Sequence, residues 1–334
     1  MDEGRRWPGE LLGLLMLAGL VVVSVNAVTM TLSYQDDVLV RPAPPIGTWS
    51  APEWPEMVRY ALARLGIAMA LAVVPLLLLR RLGRDAGVTT DRLLLASTTS
   101  LLLIGIFAGR LQEAGWMLLG MTPDEELGNT PGATLTPLVE EALKLLAVAV
   151  ALRLGSPRSG TRTGLLLGAA AGIGMTVGET VQYATLARLP SSDESGLATI
   201  ALRFSLLGFG LHATTTAVSG AALGAWLARG GRRAGLGIFL GGFLLAVATH
   251  GAWNTAIGPV GTAVAGWVVP PLDPSPFAWY VIGSIASIPI LAPSWTVLAV
   301  AWRRSAGPLS EAGSPASPGL PAGPAPGAAP SPPG

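Results

Sequence analysis

The chain has no cysteine, a single lysine and two histidines, and only 12% of its 334 residues are charged. Without cysteine there are no disulfides, no thiol nucleophile, no Cys-ligated zinc and no iron–sulfur cluster. The charged fraction is about half the ~25% usual for soluble domains. Hydrophobic residues make up 51% and the mean hydropathy is +0.55. Together these point to an integral membrane protein. The net charge of +1 excludes a nucleic-acid binder that works by bulk electrostatics.

What is present is a series of long apolar runs. Eight stretches, near 11–32, 60–79, 93–112, 133–152, 164–186, 205–227, 235–256 and 277–300, approach the ~20 residues that a helix needs to cross a bilayer. The expected fold class is an all-α, polytopic integral membrane bundle of about eight transmembrane helices. The first run follows Arg5 and Arg6 and is too long for a signal-peptide core, so it is expected to stay as a signal anchor.

Arginines cluster at Arg5/Arg6, Arg80/Arg81/Arg84/Arg92, Arg153/Arg158/Arg162, Arg229/Arg232/Arg233 and Arg303/Arg304, at alternate ends of the spans. The opposite loops carry Asp36/Asp37, Glu53/Glu56, Asp124/Glu125/Glu126, Asp193/Glu194 and Asp273. By the positive-inside rule both termini are then cytoplasmic. The Ala-, Gly- and Pro-rich composition, with arginine far above lysine, suggests GC-rich bacterial coding and hence a bacterial inner or plasma membrane. Residues 305–334 are Pro, Ala, Gly and Ser with one Glu and two Leu, too simple and too poor in apolar side chains to fold. The expected organisation is a membrane domain over 1–304, with a catalytic core near 133–256, and a disordered cytoplasmic tail.

Several ionisable residues lie inside these apolar runs, where each costs roughly 2.5–3.5 kcal/mol on insertion scales. Glu140, Glu141 and Lys144 share the fourth span, and helical geometry lets Lys144 support both carboxylates. Glu179 lies in the fifth span, on one face with Gly168, Gly172, Thr176 and Tyr183. His212 and Thr216 in the sixth, and His250 and Asn254 in the seventh, are i, i+4 pairs. Counted from the span ends, all of them fall in the outer third of the bilayer. Four successive helices thus bring acids, a base and both histidines of the chain to one level.

Imidazoles and carboxylates together are ligands and bases for hydrolysis. A bound metal would activate water, with a spare carboxylate moving protons. Without a metal, a Glu would activate water directly while His250 and Asn254 donate to the oxyanion. The sequence leaves both chemistries open. It contains no HExxH helix, and the Gly-rich run at 172–178 is part of an apolar helix rather than a phosphate loop.

The ordered set EExxK (Glu140, Glu141, Lys144), a Glu in the next span (Glu179), HxxxT (His212, Thr216) and HxxxN (His250, Asn254) resembles the PrsW family of intramembrane proteases, over about Leu138 to Asn254. The family is distantly similar to CAAX prenyl proteases and bacteriocin-processing membrane peptidases. The resemblance implies hydrolysis of a peptide bond in a membrane-bound protein, an anti-sigma factor for the characterised member. It implies Glu140 or Glu141 as the water-activating base. It also implies a metal set of Glu179, His212 and His250 holding a divalent cation, zinc by expectation, or else a metal-free glutamic site. Asn254 and His250 would serve the oxyanion or the metal. The chain departs from the family pattern at Met175 and Thr180, where Phe and Asn are common. The partners implied are the lipid bilayer and a membrane protein substrate, and no nucleic acid. The competing readings are a proton-coupled transporter and a non-catalytic relative.

Overall fold

A computed structural model describes residues 54–120, 130–154, 160–186, 208–268 and 276–305, with residues 18, 19, 21, 25 and 200. Nearly all of the first expected span (11–32), the loop 34–56 before Trp54, most of the acidic loop residues and the tail beyond Ser305 lie outside the described residues.

The described chain is helical and contains no strand. We label the helices α1 (Trp54–Gly83), α2 (Thr90–Leu118), α3 (Thr130–Leu154), α4 (Thr161–Leu186), α5 (Gly208–Ala228), α6 (Arg233–Val268) and α7 (Pro276–Ser305). They correspond to the second through eighth apolar runs. One boundary differs clearly: α6 continues past residue 256 to Val268, into what the sequence suggests is loop. Its residues 257–268 are Ile, Gly, Ala, Val, Thr and Trp with one Pro, apolar enough to propagate a helix already started.

Five of the helices are long and apolar enough to cross a membrane: Val58–Ala86, Thr90–Leu118, Thr161–Ala184, Arg233–Ala256 and Ser284–Ser305. The protein is therefore a multi-pass membrane bundle. The two that fall short are α3 and α5. They carry Glu140, Glu141 and Lys144, and His212 with Thr214, Thr215 and Thr216, so the polar residues that lower their hydropathy are the candidate site itself.

Burial is inverted relative to a soluble protein. Val74, Leu77, Leu78 and Leu118 are exposed, whereas Glu141, Lys144 and His212 are enclosed. This is what a lipid solvent selects: apolar surface outside, paired polar groups inside. α4 is the central helix, with 83% of its apolar window buried against 22% for α1, α6 and α7.

α4 and α5 pack backbone to backbone. A Cβ on Gly164, Gly168 or Gly172 would meet the main-chain carbonyl of Gly220, Thr216 or His212. Small residues allow this approach, and in lipid such close packing replaces the hydrophobic effect as the force between helices. The contact has a functional side, because Gly172 rests on His212 itself. Gly172→Ala is expected to overpack this seam, at a cost of about 1–3 kcal/mol, and to displace the imidazole. A displacement near 1 Å costs about 100-fold in rate. Gly241→Ala is the control, since a Cβ there meets nothing within 4 Å. Melting temperature and cleavage rate should fall for the first variant and hold for the second.

The link from α5 to α6 is tight, turning through Gly230 and Gly231 at φ +69° and +66°. Only glycine adopts this left-handed backbone without steric cost. His212 and His250 lie roughly 25 Å from this turn along their respective helices, at 1.5 Å per residue. The hairpin therefore brings them level. At the arginine-bearing end, the Arg162 guanidinium donates to the Leu82 carbonyl at 2.8 Å and stacks on Trp302 at 4.1 Å. The ends of α1, α4 and α7 meet there, as the alternation of arginines requires.

Candidate active site

Three of the four site-bearing helices, α3, α5 and α6, converge on Glu141. This carboxylate is fully buried, and its Oε1 accepts from Lys144 Nζ, from Thr215 Oγ1 at 2.8 Å and from His250 Nδ1 at 2.9 Å. Its Oε2 accepts from Thr216 Oγ1 at 3.3 Å. Three helices thus pin one side chain. Burying an ion is tolerated when it is paired and its remaining lone pairs are satisfied.

Lys144 pairs with Glu141 at i, i+3 rather than bridging both glutamates, as the helical spacing alone suggests. Its ammonium is drawn instead toward α5, where it lies 3.3 Å from His212 Nδ1. An ammonium only donates, so the network assigns His212 Nδ1 as acceptor and its Nε2–H as donor to Glu179 Oε2, at 2.7 Å.

Glu140 is turned the other way. Its Oε1 accepts from Gln112 Nε2 at 3.2 Å. Its Oε2 is buried without a hydrogen-bond partner among the described residues and lies 3.6 Å from His250 Nε2. Because His250 donates through Nδ1 to Glu141, its Nε2 lone pair faces Glu140. A carboxylate behind an imidazole in this way fixes tautomer and ring orientation in metal sites. The two imidazoles sit edge to face, with centroids 5.2 Å apart.

Glu140, His212 and His250 form a buried group in which one ligand atom from each lies within 4.8 Å of the others. The orphaned Glu140 oxygen and the His₂Glu donor set fit a divalent cation, for which two histidines and one carboxylate are an established catalytic combination. To hold a cation at Nε2, His212 would have to adopt the other neutral tautomer, with its proton on Nδ1. Glu179, which the sequence reading grouped with the histidines, stands beside His212, and its side chain is 13% exposed. Asn254 lies one turn beyond His250 on α6 and is exposed. Thr180 is fully buried, with its hydroxyl unpartnered among the described residues.

The sequence reading did not single out Gln112, Thr215 or the brace behind Thr215, in which Trp295 Nε1 donates to Thr214 Oγ1 at 3.0 Å. The signal for Gln112 was an uncharged amide within an apolar span. For Thr215 it was the run of three threonines after His212, which the i, i+4 rule reduced to Thr216.

Compared with known protein families, residues 90–284 match the family model of the PrsW family intramembrane metalloproteases, more than half of the chain. The match begins at α2, upstream of the expected core. No curated protein and no solved structure matches the chain.

Proposed function

This chain belongs to the PrsW family of intramembrane metalloproteases, and on that premise we propose that it cuts a membrane protein with Glu140, His212 and His250 as its metal-holding residues. The enzyme is a membrane-embedded peptidase. The observation that carries the assignment of ligands is the buried group of these three side chains. We infer zinc as the cation, because two imidazoles and one carboxylate are a donor set that suits it.

When bound, such a cation lowers the pKa of a coordinated water to about 7 and polarises the scissile carbonyl. The remaining work falls to the chain. Glu141, braced by Lys144, Thr215 and Thr216, orients His250 and is fully buried. Glu179 is the most solvent-accessible of the three site carboxylates, its side chain 13% exposed. It takes the proton from the attacking water and returns it to the leaving amine as the C–N bond breaks. Asn254 presents its amide to the carbonyl oxygen, where charge develops in the transition state.

The proposed substrate is a membrane-anchored protein, with an anti-sigma factor as the reading drawn from the family resemblance. The proposed setting is a bacterial plasma membrane with both termini cytoplasmic, a membrane domain over 1–304 with its catalytic core near 133–256, and a free tail.

The test uses the full chain in detergent. Elemental analysis is expected to find about one zinc per chain, and chelation should abolish cleavage of a single-span reporter until zinc is restored. Full activity in a zinc-free preparation would overturn the metal assignment and leave a glutamic mechanism.

A further inference from the structure

The proposed mechanism leaves one polar side chain of the site without a task. Gln112 lies in the second half of α2, between Arg110 and Glu113, whose exposed side chains pair with each other at 3.4 Å. Its Nε2 donates to Glu140 Oε1 at 3.2 Å, across 28 residues of sequence. The other oxygen of Glu140 is the buried, unpartnered one, 3.6 Å from His250 Nε2.

A carboxylate has two equivalent oxygens and a broad, two-fold terminal torsion. A donor fixed on one oxygen removes that equivalence. The local backbone is built to supply the donor. Helix α2 contains a π-helical turn at Ile104–Ala108, just before Gln112. A π turn takes in one extra residue, so positions beyond it are about 100° out of phase with the α-helical count from the first half. Gln112 faces α3 because of that offset, and such turns recur at functional sites.

We propose that Gln112 is a positioning residue: its amide holds Glu140 Oε1 so that Oε2 is presented to the metal beside His250 Nε2. This rests on the assignment of Glu140 as a ligand. A partner of this kind, one step behind a ligand, is typically worth about 10–100-fold in metal affinity. A residue that merely satisfied a buried polar atom would affect folding and leave metal affinity alone.

The test compares wild type, Gln112→Ala, Gln112→Leu, Glu140→Gln and the Gln112→Ala/Glu140→Gln double variant, as full chains in detergent. Zn²⁺ affinity is read by competition with a chromophoric chelator, kcat and KM on a single-span reporter, and folding by thermal melting. Gln112→Ala should bind Zn²⁺ about 10–100-fold more weakly and lose kcat with little change in KM. In the Glu140→Gln background it should add nothing, since its effect passes through Glu140. Gln112→Leu keeps the volume and removes only the amide, so it carries the same comparison if the alanine variant folds poorly. Wild-type Zn²⁺ affinity and kcat in a folded Gln112 variant, or additive losses in the double variant, would overturn the proposal. If the wild type binds no Zn²⁺ at all, the ligand assignment fails separately, and the kcat cycle between Gln112 and Glu140 still decides the positioning role.

Discussion

Glu140→Gln is expected to lose bound zinc and turnover together, and Glu179→Gln to keep its zinc and lose turnover alone. Both substitutions preserve shape and remove charge, so neither opens a cavity. Glu140 has one oxygen free inside the imidazole pair and the other tied to Gln112. An amide there is a poor ligand, and affinity should fall by more than the ~10–100-fold that follows loss of an outer partner. Glu179 instead stands at the rim, against His212 Nε2. Its loss removes a proton carrier, worth about 10²–10⁴-fold in rate. Metal content by elemental analysis and reporter cleavage, measured on the same preparations, separate the two. Zinc lost from Glu179→Gln and retained in Glu140→Gln would exchange the roles assigned to the two carboxylates.

The second large effect belongs to the buried ion pair. Lys144→Met should leave Glu141 charged and enclosed, with threonine hydroxyls and one imidazole as its remaining donors. Breaking a buried pair by removing one partner costs about 3–5 kcal/mol, whereas replacing both charges by apolar groups is often neutral or stabilising. The Lys144→Met/Glu141→Leu double variant should therefore melt closer to wild type than Lys144→Met does. It should remain inactive, because His250 Nδ1 then has no carboxylate to fix its tautomer. Equal melting temperatures for the single variant and wild type would show that the pair contributes nothing to the fold. Recovered cleavage in the double variant would remove Glu141 from the active site.

Much of the site was legible because ionisable residues in lipid-facing sequence are costly and therefore few. Glu140, Glu141, Lys144, Glu179, His212 and His250 stood out by type alone, and their depth in successive spans predicted a common level. The structure joins five of them in one hydrogen-bonded cluster and sets Glu140 beside it, 3.6 Å from His250 Nε2. The α-helical count also linked His212 to Thr216, whose hydroxyl reaches Glu141. It failed where partners come from other helices. Lys144 was read as serving both glutamates because angle along α3 was the only information available. The structure sends its ammonium toward His212, and Glu140 toward Gln112. Gln112 itself was invisible to periodicity, since the π turn shifts the phase of everything after it.

The sequence by itself determined that this chain is a helical membrane protein, which residues are too polar for lipid, and which of them share a face of one helix. Composition and the 3.6-residue period decide those matters locally. Only the tertiary structure decided which carboxylate is saturated and which keeps an open oxygen. That choice depends on interhelical distances, set by the glycine contacts of α4 on α5, by the tight turn between α5 and α6, and by the register of α2 beyond its π turn. None of these is a property of a single helix, and each shifts a donor by the fraction of an ångström to a few ångströms that separates a hydrogen bond from none.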